Sequence, residues 1–215
     1  SDNVEIIINQ AFTTVMLATG LSLIYAQGAI DFSTGAVLAI SDLVAVLVVA
    51  KTGLDFLVMP VCIIVSMFCY FINGYITIKL RLNPYIGSVA MQFLCRGIVN
   101  SVMESSSTVA ETRFVGINNW TIEFTILVFF IFIMTLIFNR TKIGIYNRSY
   151  GESKIVPSLS GINIDRYRMY AYLIGGFSTG LAAYFMLCRL GTMSTITGLN
   201  EEMNVIIALA LGGMV

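Results

Sequence analysis

Histidine is absent from the 215 residues, and only 11% of them are charged. The first absence removes the usual general base near neutral pH and the commonest metal ligand, so chemistry on a substrate is not expected of this chain. The second leaves too few ionic groups to build a water-facing surface, for which an average soluble domain uses about 25% charged residues. Basic and acidic residues balance at 12 each, so no overall cationic excess points to nucleic acid. Cysteine is sparse as well. Cys62, Cys69, Cys95 and Cys188 sit singly inside apolar stretches without a CxxC pair, which argues against a disulfide framework and against a zinc site. No GxxxxGK[ST] phosphate loop occurs, so any ATP hydrolysis linked to this protein belongs to another chain.

What remains is apolar: hydrophobic residues make up 57% of the chain. Several runs reach about 20 residues, the length that crosses a hydrocarbon layer of roughly 30 Å. The pattern predicts an all-α, polytopic transmembrane bundle forming a single domain over residues 1–215. Spans are expected at Ile6–Ala26, Ala36–Ala50, Phe56–Ile78, Asn83–Met103, Thr121–Phe138 and Met169–Leu190, with an apolar run resuming at Val205. Gly176 and Gly180 form a small-xxx-small pair that suits a helix packed inside the bundle. The chain opens on Ser1 and stops inside the run Val205–Val215, so both ends read as cut.

Charge placement orients these spans. The stretch Asn139–Arg168 reads as the one substantial hydrophilic loop, and it carries Arg140, Lys142, Arg148, Lys154, Arg166 and Arg168 against Glu152 and Asp165. The positive-inside rule places it in the cytoplasm, together with Lys79 and Arg81, and leaves Lys51 and the segment Glu104–Asn119 outside.

Polar groups at membrane depth are expensive unless they face a cavity or a partner, so they mark candidate sites. Between Gly28 and Gly35, Asp31, Ser33 and Thr34 interrupt the apolar pattern where glycine frees the backbone. The stretch reads equally as a discontinuous helix facing a solute path or as a turn whose Asp31 caps the next helix. Gly191–Glu202 is a second glycine-flanked interruption. It reads as part of a solute path or as an outer loop, and its expected outer position favours a solvated loop containing Glu201 and Glu202. Gln92 and Arg96, four apart and on one helical face, join Asn73 and Asn83 as groups able to line a path or to bond neighbouring helices. Arg96 is a natural partner for Asp31 or Asp42.

Three stretches resemble the permease subunits of ribose-type and related monosaccharide ABC importers, within the branched-chain amino-acid permease superfamily. Gly28-Ala-Ile-Asp31-Phe-Ser33-Thr34-Gly35 is similar to a Gly-Ile-Asp-Leu-Ser-Val-Gly signature, with Ala29 extra or substituted. Asn73-Gly74 and Asn83-Pro84-Tyr85-Ile86 match a second pairing. Gly151-Glu152-Ser153 followed by Leu159-Ser160-Gly161-Ile162-Asn163-Ile164, with Arg189 and Leu211-Gly212-Gly213, is the third. The resemblance implies a coupling helix within Gly151–Ile162 that docks on an ATPase, with Gly151, Glu152, Ser153, Ser158, Ser160, Gly161 and Ile162 as contact residues. Ser153-Lys154 and Pro157-Ser158 depart from the family's usual alanine pair and basic residue.

The same resemblance implies that a first span and the last helices of the family are missing from this chain. It also implies multi-pass residence in a bacterial inner membrane, beside two ABC ATPase subunits, a second permease copy or paralogue and an extracytoplasmic solute-binding protein. No cofactor is expected on this chain, ATP-Mg being bound by the partner ATPase. A monosaccharide is the expected solute, with a nucleoside, a furanose signal or a branched-chain amino acid as alternatives. A passive channel or membrane scaffold is the reading from another class.

Overall fold

The computed structural model describes residues 2–105, 120–153 and 163–214. Within them every regular element is helical: α1 (Asp2–Tyr25), α2 (Thr34–Thr52), α3 (Val58–Lys79, entered through a 3-10 turn at Asp55–Leu57), α4 (Pro84–Ser105), α5 (Trp120–Arg140), α6 (Lys142–Glu152), α7 (Ile164–Leu190) and α8 (Glu201–Leu211). Among the described residues, five stretches are long and apolar enough to cross a membrane: Thr34–Thr52, Asp55–Lys79, Pro84–Glu104, Thr121–Arg140 and Ile164–Leu190. Ala11–Tyr25 is a shorter apolar stretch at the end of α1. The expected all-α transmembrane bundle is therefore the observed fold.

α7 is the axis of the bundle, and its small residues are the reason. A Cβ on Gly180 would lie 2.5 Å from the Cα of Ile63 and 2.7 Å from the Cys62 carbonyl oxygen, while Gly176 lies against Met67 and Ser66 of the same helix. The α3 and α7 backbones are thus in direct contact, an approach that larger side chains forbid. Ser66 Oγ locks it by donating to the Gly176 carbonyl at 2.7 Å. On the other side of α7, Ser178 Oγ donates to the Met16 carbonyl of α1 at 2.7 Å, and Gly20 leaves the room that this serine fills. Hydrogen bonds of this kind hold helices together where lipid removes most of the hydrophobic drive for them to associate. The outer faces of α4 and α5 carry the opposite chemistry. Phe93 and Phe129 are 73% and 63% exposed on the isolated chain, which suits acyl-chain contact and would be unfavourable in water.

α1 and α7 run antiparallel, as the pairs Phe12–Phe185, midway along α1, and Gln27–Arg168, just past its end, show. The end of α1, the end of α3 and the start of α7 meet at one end of the bundle, where Lys79 Nζ lies 3.9 Å from Asp165 Oδ2. Arg81, Arg140, Lys142, Arg148, Arg166 and Arg168 belong to the same end by sequence position, and we refer to it as the basic end.

Two expectations are corrected here. Asn139–Arg168 is not simply a loop: α5 continues to Arg140, Lys142–Glu152 forms α6, and α7 begins at Ile164, before Met169. The polar composition hides an amphipathic helix. Gly144 lies against the Phe138 backbone, buried Asn147 donates to the Tyr167 carbonyl at 3.1 Å, and Tyr146 meets Tyr167 edge-on at 4.7 Å. Nor are Glu201 and Glu202 in a solvated loop. They open α8 and are 8% and 6% exposed, because the preceding break, though Ser194–Ile196 and Leu199 are exposed, turns inward at Met193, Thr197 and Gly198, which are buried.

Candidate functional site

The backbone breaks twice, and both breaks lead to the same place. After α1 ends at Tyr25, Gly28 takes φ 74°, and α2 does not begin until Thr34. After α7 ends at Gly191 with φ 67°, Gly198 takes φ 66°, Asn200 takes φ 65°, and α8 begins at Glu201. Left-handed conformations are cheap for glycine and tolerable for asparagine, which is why these residues occupy the breaks. Thr34 Oγ1 is 3.1 Å from Tyr70 Oη, nine residues before the end of α3. At 1.5 Å per residue, that places the start of α2 about 14 Å inside the basic end, close to half the span. Thr14 Oγ1 donates to Glu201 Oε2 at 3.4 Å, eleven residues before the end of α1, which places the start of α8 at a similar depth of about 16 Å.

The two helix starts touch. A Cβ on Gly35 would collide with the Gly198 carbonyl oxygen and with Glu202 Oε2, and a Cβ on Gly198 would come within 2.5 Å of the Gly35 carbonyl. Two helix N-termini, each with unpaired N–H groups and a positive dipole end, thus converge at mid-depth on buried carboxylates. Asp31 is 2% exposed, and its Oδ1 accepts from the Ser33 N–H at 2.7 Å and from Ser33 Oγ at 2.6 Å. Ser33 itself stands at the N-cap of α2 and makes no side-chain cap bond, so Asp31 braces the entry to α2 through Ser33. Among the described residues, Asp31 Oδ2 has no hydrogen-bond partner, and neither does Glu202 Oε2.

α4 closes this junction from the side. Gln92 Nε2 donates to Glu202 Oε1 at 3.0 Å. Arg96 donates through Nη1 to the carbonyls of Thr197 at 2.8 Å and Thr195 at 3.4 Å, and through Nη2 to Gly198 at 3.2 Å. The shared face expected for Gln92 and Arg96 is therefore real. The expected pairing of Arg96 with Asp31 or Asp42 is not: the guanidinium fork is occupied by carbonyls that the second break leaves without helical partners. Asp42 lies fully buried in α2 with Cys62 Sγ 3.8 Å from its Oδ1.

The other two candidates lie elsewhere. Asn73 is buried where α3 meets α4, with Gly87 leaving room for its Oδ1. Asn83 is exposed at the basic end, and its Oδ1 accepts the Tyr85 N–H at 3.1 Å at the entry to α4. Tyr70 carries no sequence signal of its place here, and Glu201 and Glu202 read from sequence as an outer loop. The available signal was the recurrence of a glycine-flanked polar break before an apolar run.

At the basic end, the last turn of α6 rests on the first break. A Cβ on Gly151 would overlap the Ala26 carbonyl oxygen and lie 3.1 Å from its carbon. Beside it, the Arg168 guanidinium stacks on Tyr150 at 4.4 Å, and its Nε donates to Gln27 Oε1 at 3.1 Å. Glu152 is exposed, and the Ser153 N–H closes α6 on the Ser149 carbonyl at 3.0 Å. Ser158, Ser160, Gly161 and Ile162 lie outside the described residues. Among the described residues no group of three His, Cys, Asp or Glu side chains could hold a metal ion.

Broken helices converging at mid-depth are a feature of solute-moving membrane proteins, and comparison with known families agrees: residues 3–215 match the family described as branched-chain amino acid transport system / permease component. The chain belongs to this permease family. Its relatives include the ribose import permease protein RbsC of Haemophilus influenzae, 25% identical over 99% of this chain and 69% of the relative. The fructose import permease protein FrcC of Rhizobium meliloti is 23% identical, over 97% of this chain and 62% of the relative. The L-arabinose transport system permease protein AraH of Escherichia coli is 23% identical, over 93% and 62%. No solved structure matches the chain. In this permease the two halves α1–α2 and α7–α8 run in opposite directions, each a helix, a glycine-bearing break and a second helix starting at mid-depth.

Proposed function

We propose that this chain is the transmembrane permease subunit of a bacterial ABC importer that moves a monosaccharide or similar polyhydroxylated solute into the cytoplasm, powered by separate ATPase subunits. The observation that carries the reading is the mid-depth meeting of the α2 and α8 N-termini. Backbone and carboxylate groups there lie off the helical ladder, and a change in the packing of either half shifts them relative to each other. The solute class is supported by relatives named for import of ribose, fructose and arabinose.

In this reading the basic end faces the cytoplasm of an inner-membrane protein. A second permease copy or paralogue and an extracytoplasmic binding protein complete the assembly. Asp31, Ser33, Gln92 and Arg96 form the junction that responds to transport, and Asn73 and Asn83 support the α3–α4 contact. Gly151, Glu152 and Ser153, with Ser158, Ser160, Gly161 and Ile162 beyond them, form the surface on which the ATPase docks. The contact of Gly151 with Ala26 gives a docked ATPase direct mechanical access to the first break.

The test is uptake of labelled ribose, fructose and arabinose into proteoliposomes containing the full-length permease, its ATPase and its binding protein. ATP-dependent accumulation of at least one sugar is expected. Accumulation of a nucleoside or a branched-chain amino acid with no sugar would overturn the solute class, and solute flux without ATPase or binding protein would overturn the importer reading in favour of a channel.

A further inference from the structure

A cavity of about 690 Å³ opens at the basic end, bounded by the first break, the α3–α4 turn, α6 and the start of α7. Arg81 and Arg168 line it, against one carboxylate, Asp165. That carboxylate is itself approached only loosely, by Lys79 Nζ at 3.9 Å and by Arg168 Nη1 at 4.0 Å. Among the described residues, three cations here face one anion, a local excess of two positive charges.

The cationic groups are held in place in advance. Arg168 is 9% exposed, stacked on Tyr150 and bonded to Gln27, so little freedom remains to be lost on binding. Arg81 stands at the mouth with φ 54°, a left-handed conformation unusual for a residue with a Cβ and imposed by the tight turn between α3 and α4. Tyr150 and Asn83 add hydrogen-bonding groups to the wall.

The surroundings identify the occupant. Leu80, Leu82, Tyr85 and Ile86 are all exposed beside the mouth, and α4 continues from them toward mid-depth as an apolar outer face. A soluble anion would satisfy the guanidinium groups alone and make no use of the adjoining apolar shelf. An anionic phospholipid meets both, with its phosphate among the arginines and its acyl chains along α4. We propose that this cavity is a binding site for the phosphate-bearing headgroup of an anionic phospholipid, bridging the α3–α4 turn to α6 and α7. The site rests on the membrane fold and does not depend on which solute the permease carries.

Native mass spectrometry of the full-length protein, released from nanodiscs of phosphatidylethanolamine with phosphatidylglycerol, reads the bound lipid directly. Retained phosphatidylglycerol is expected in preference to phosphatidylethanolamine. Arg81→Asn keeps a residue that tolerates left-handed geometry and should lower retention about fivefold, the worth of one basic residue at a lipid surface. Arg81→Lys should retain most of it, and Arg140→Gln, at the same end but outside the cavity, should leave it unchanged. Raised salt should release the lipid from the unaltered protein, which tests the site without any variant.

Equal retention of the two lipids overturns the proposal, as does equal loss in Arg81→Asn and Arg140→Gln. Full displacement of the lipid by inorganic phosphate would make this a soluble-anion site. Unchanged lipid with loss of ATPase co-purification in Arg81→Asn would make it a protein-docking site.

Discussion

Replacing Gly151 by alanine is a test in which two ordinary effects have opposite signs. Helix propensity alone favours alanine over glycine by up to about 1 kcal/mol, less near a helix end such as this one. The contact across the basic end opposes it. The new methyl would collide with the Ala26 carbonyl oxygen and stand 3.1 Å from its carbon and 3.3 Å from the carbonyl carbon of Gln27. Backbone cannot rotate away as a long side chain can, so α6 must retreat by about 1 Å, and overpacking of this kind costs about 1–3 kcal/mol. The internal control is Gly97→Ala in α4, where a Cβ would meet nothing within 4 Å and the helix continues on both sides. It should stabilise by about 0.5–1 kcal/mol. In a thermal melt of the full-length protein the two variants should fall on opposite sides of the unaltered chain, with Gly151→Ala lower by about 2–4 °C or more. A Gly151→Ala protein that melts as high as Gly97→Ala would refute the claim that α6 is seated on the break. If it melts lower yet keeps its ATPase partner while losing uptake, the seat also has a role in transport.

Gly180→Val should be the most damaging of the small-residue changes, since its methyl groups must displace the Ile63 and Cys62 backbone; recovery of folded protein after detergent extraction should fall sharply. Arg96→Lys exchanges a fork that reaches three carbonyls for a single ammonium, with an expected loss of about 1–3 kcal/mol in a denaturation series, whereas an equal melting profile would show that the carbonyls find other partners. Cys62 and Cys95 are fully buried, so a maleimide should leave both unlabelled in the folded protein and label them after denaturation. For orientation, Lys142→Cys and Lys51→Cys should react with a membrane-impermeant thiol reagent from opposite faces of sealed vesicles, Lys142→Cys only from the cytoplasmic face.

Local signals carried most of the architecture. Runs of about 20 apolar residues located the spans because hydropathy is a sum over neighbours in the chain. The break at Gly28–Gly35 was legible because glycine and Asp31 interrupt that sum, and the common face of Gln92 and Arg96 follows from helical periodicity alone. The α6 helix was hidden because its buried face is built from Gly144, Asn147 and tyrosines, which read as polar or neutral until α7 lies against them.

The amino-acid order by itself determined that this is a helical membrane protein, where its helices are interrupted, and which residues share a helical face, since each of these depends on residues within a few turns of one another. Only the tertiary structure decided that the second break re-enters the bundle, that Glu201 and Glu202 are buried against Thr14 and Gln92, and that Arg96 serves carbonyls in place of a carboxylate. Whether a charged group faces water, lipid or a partner depends on which distant segment arrives beside it, and here the antiparallel packing of α1 on α7 sets that arrangement.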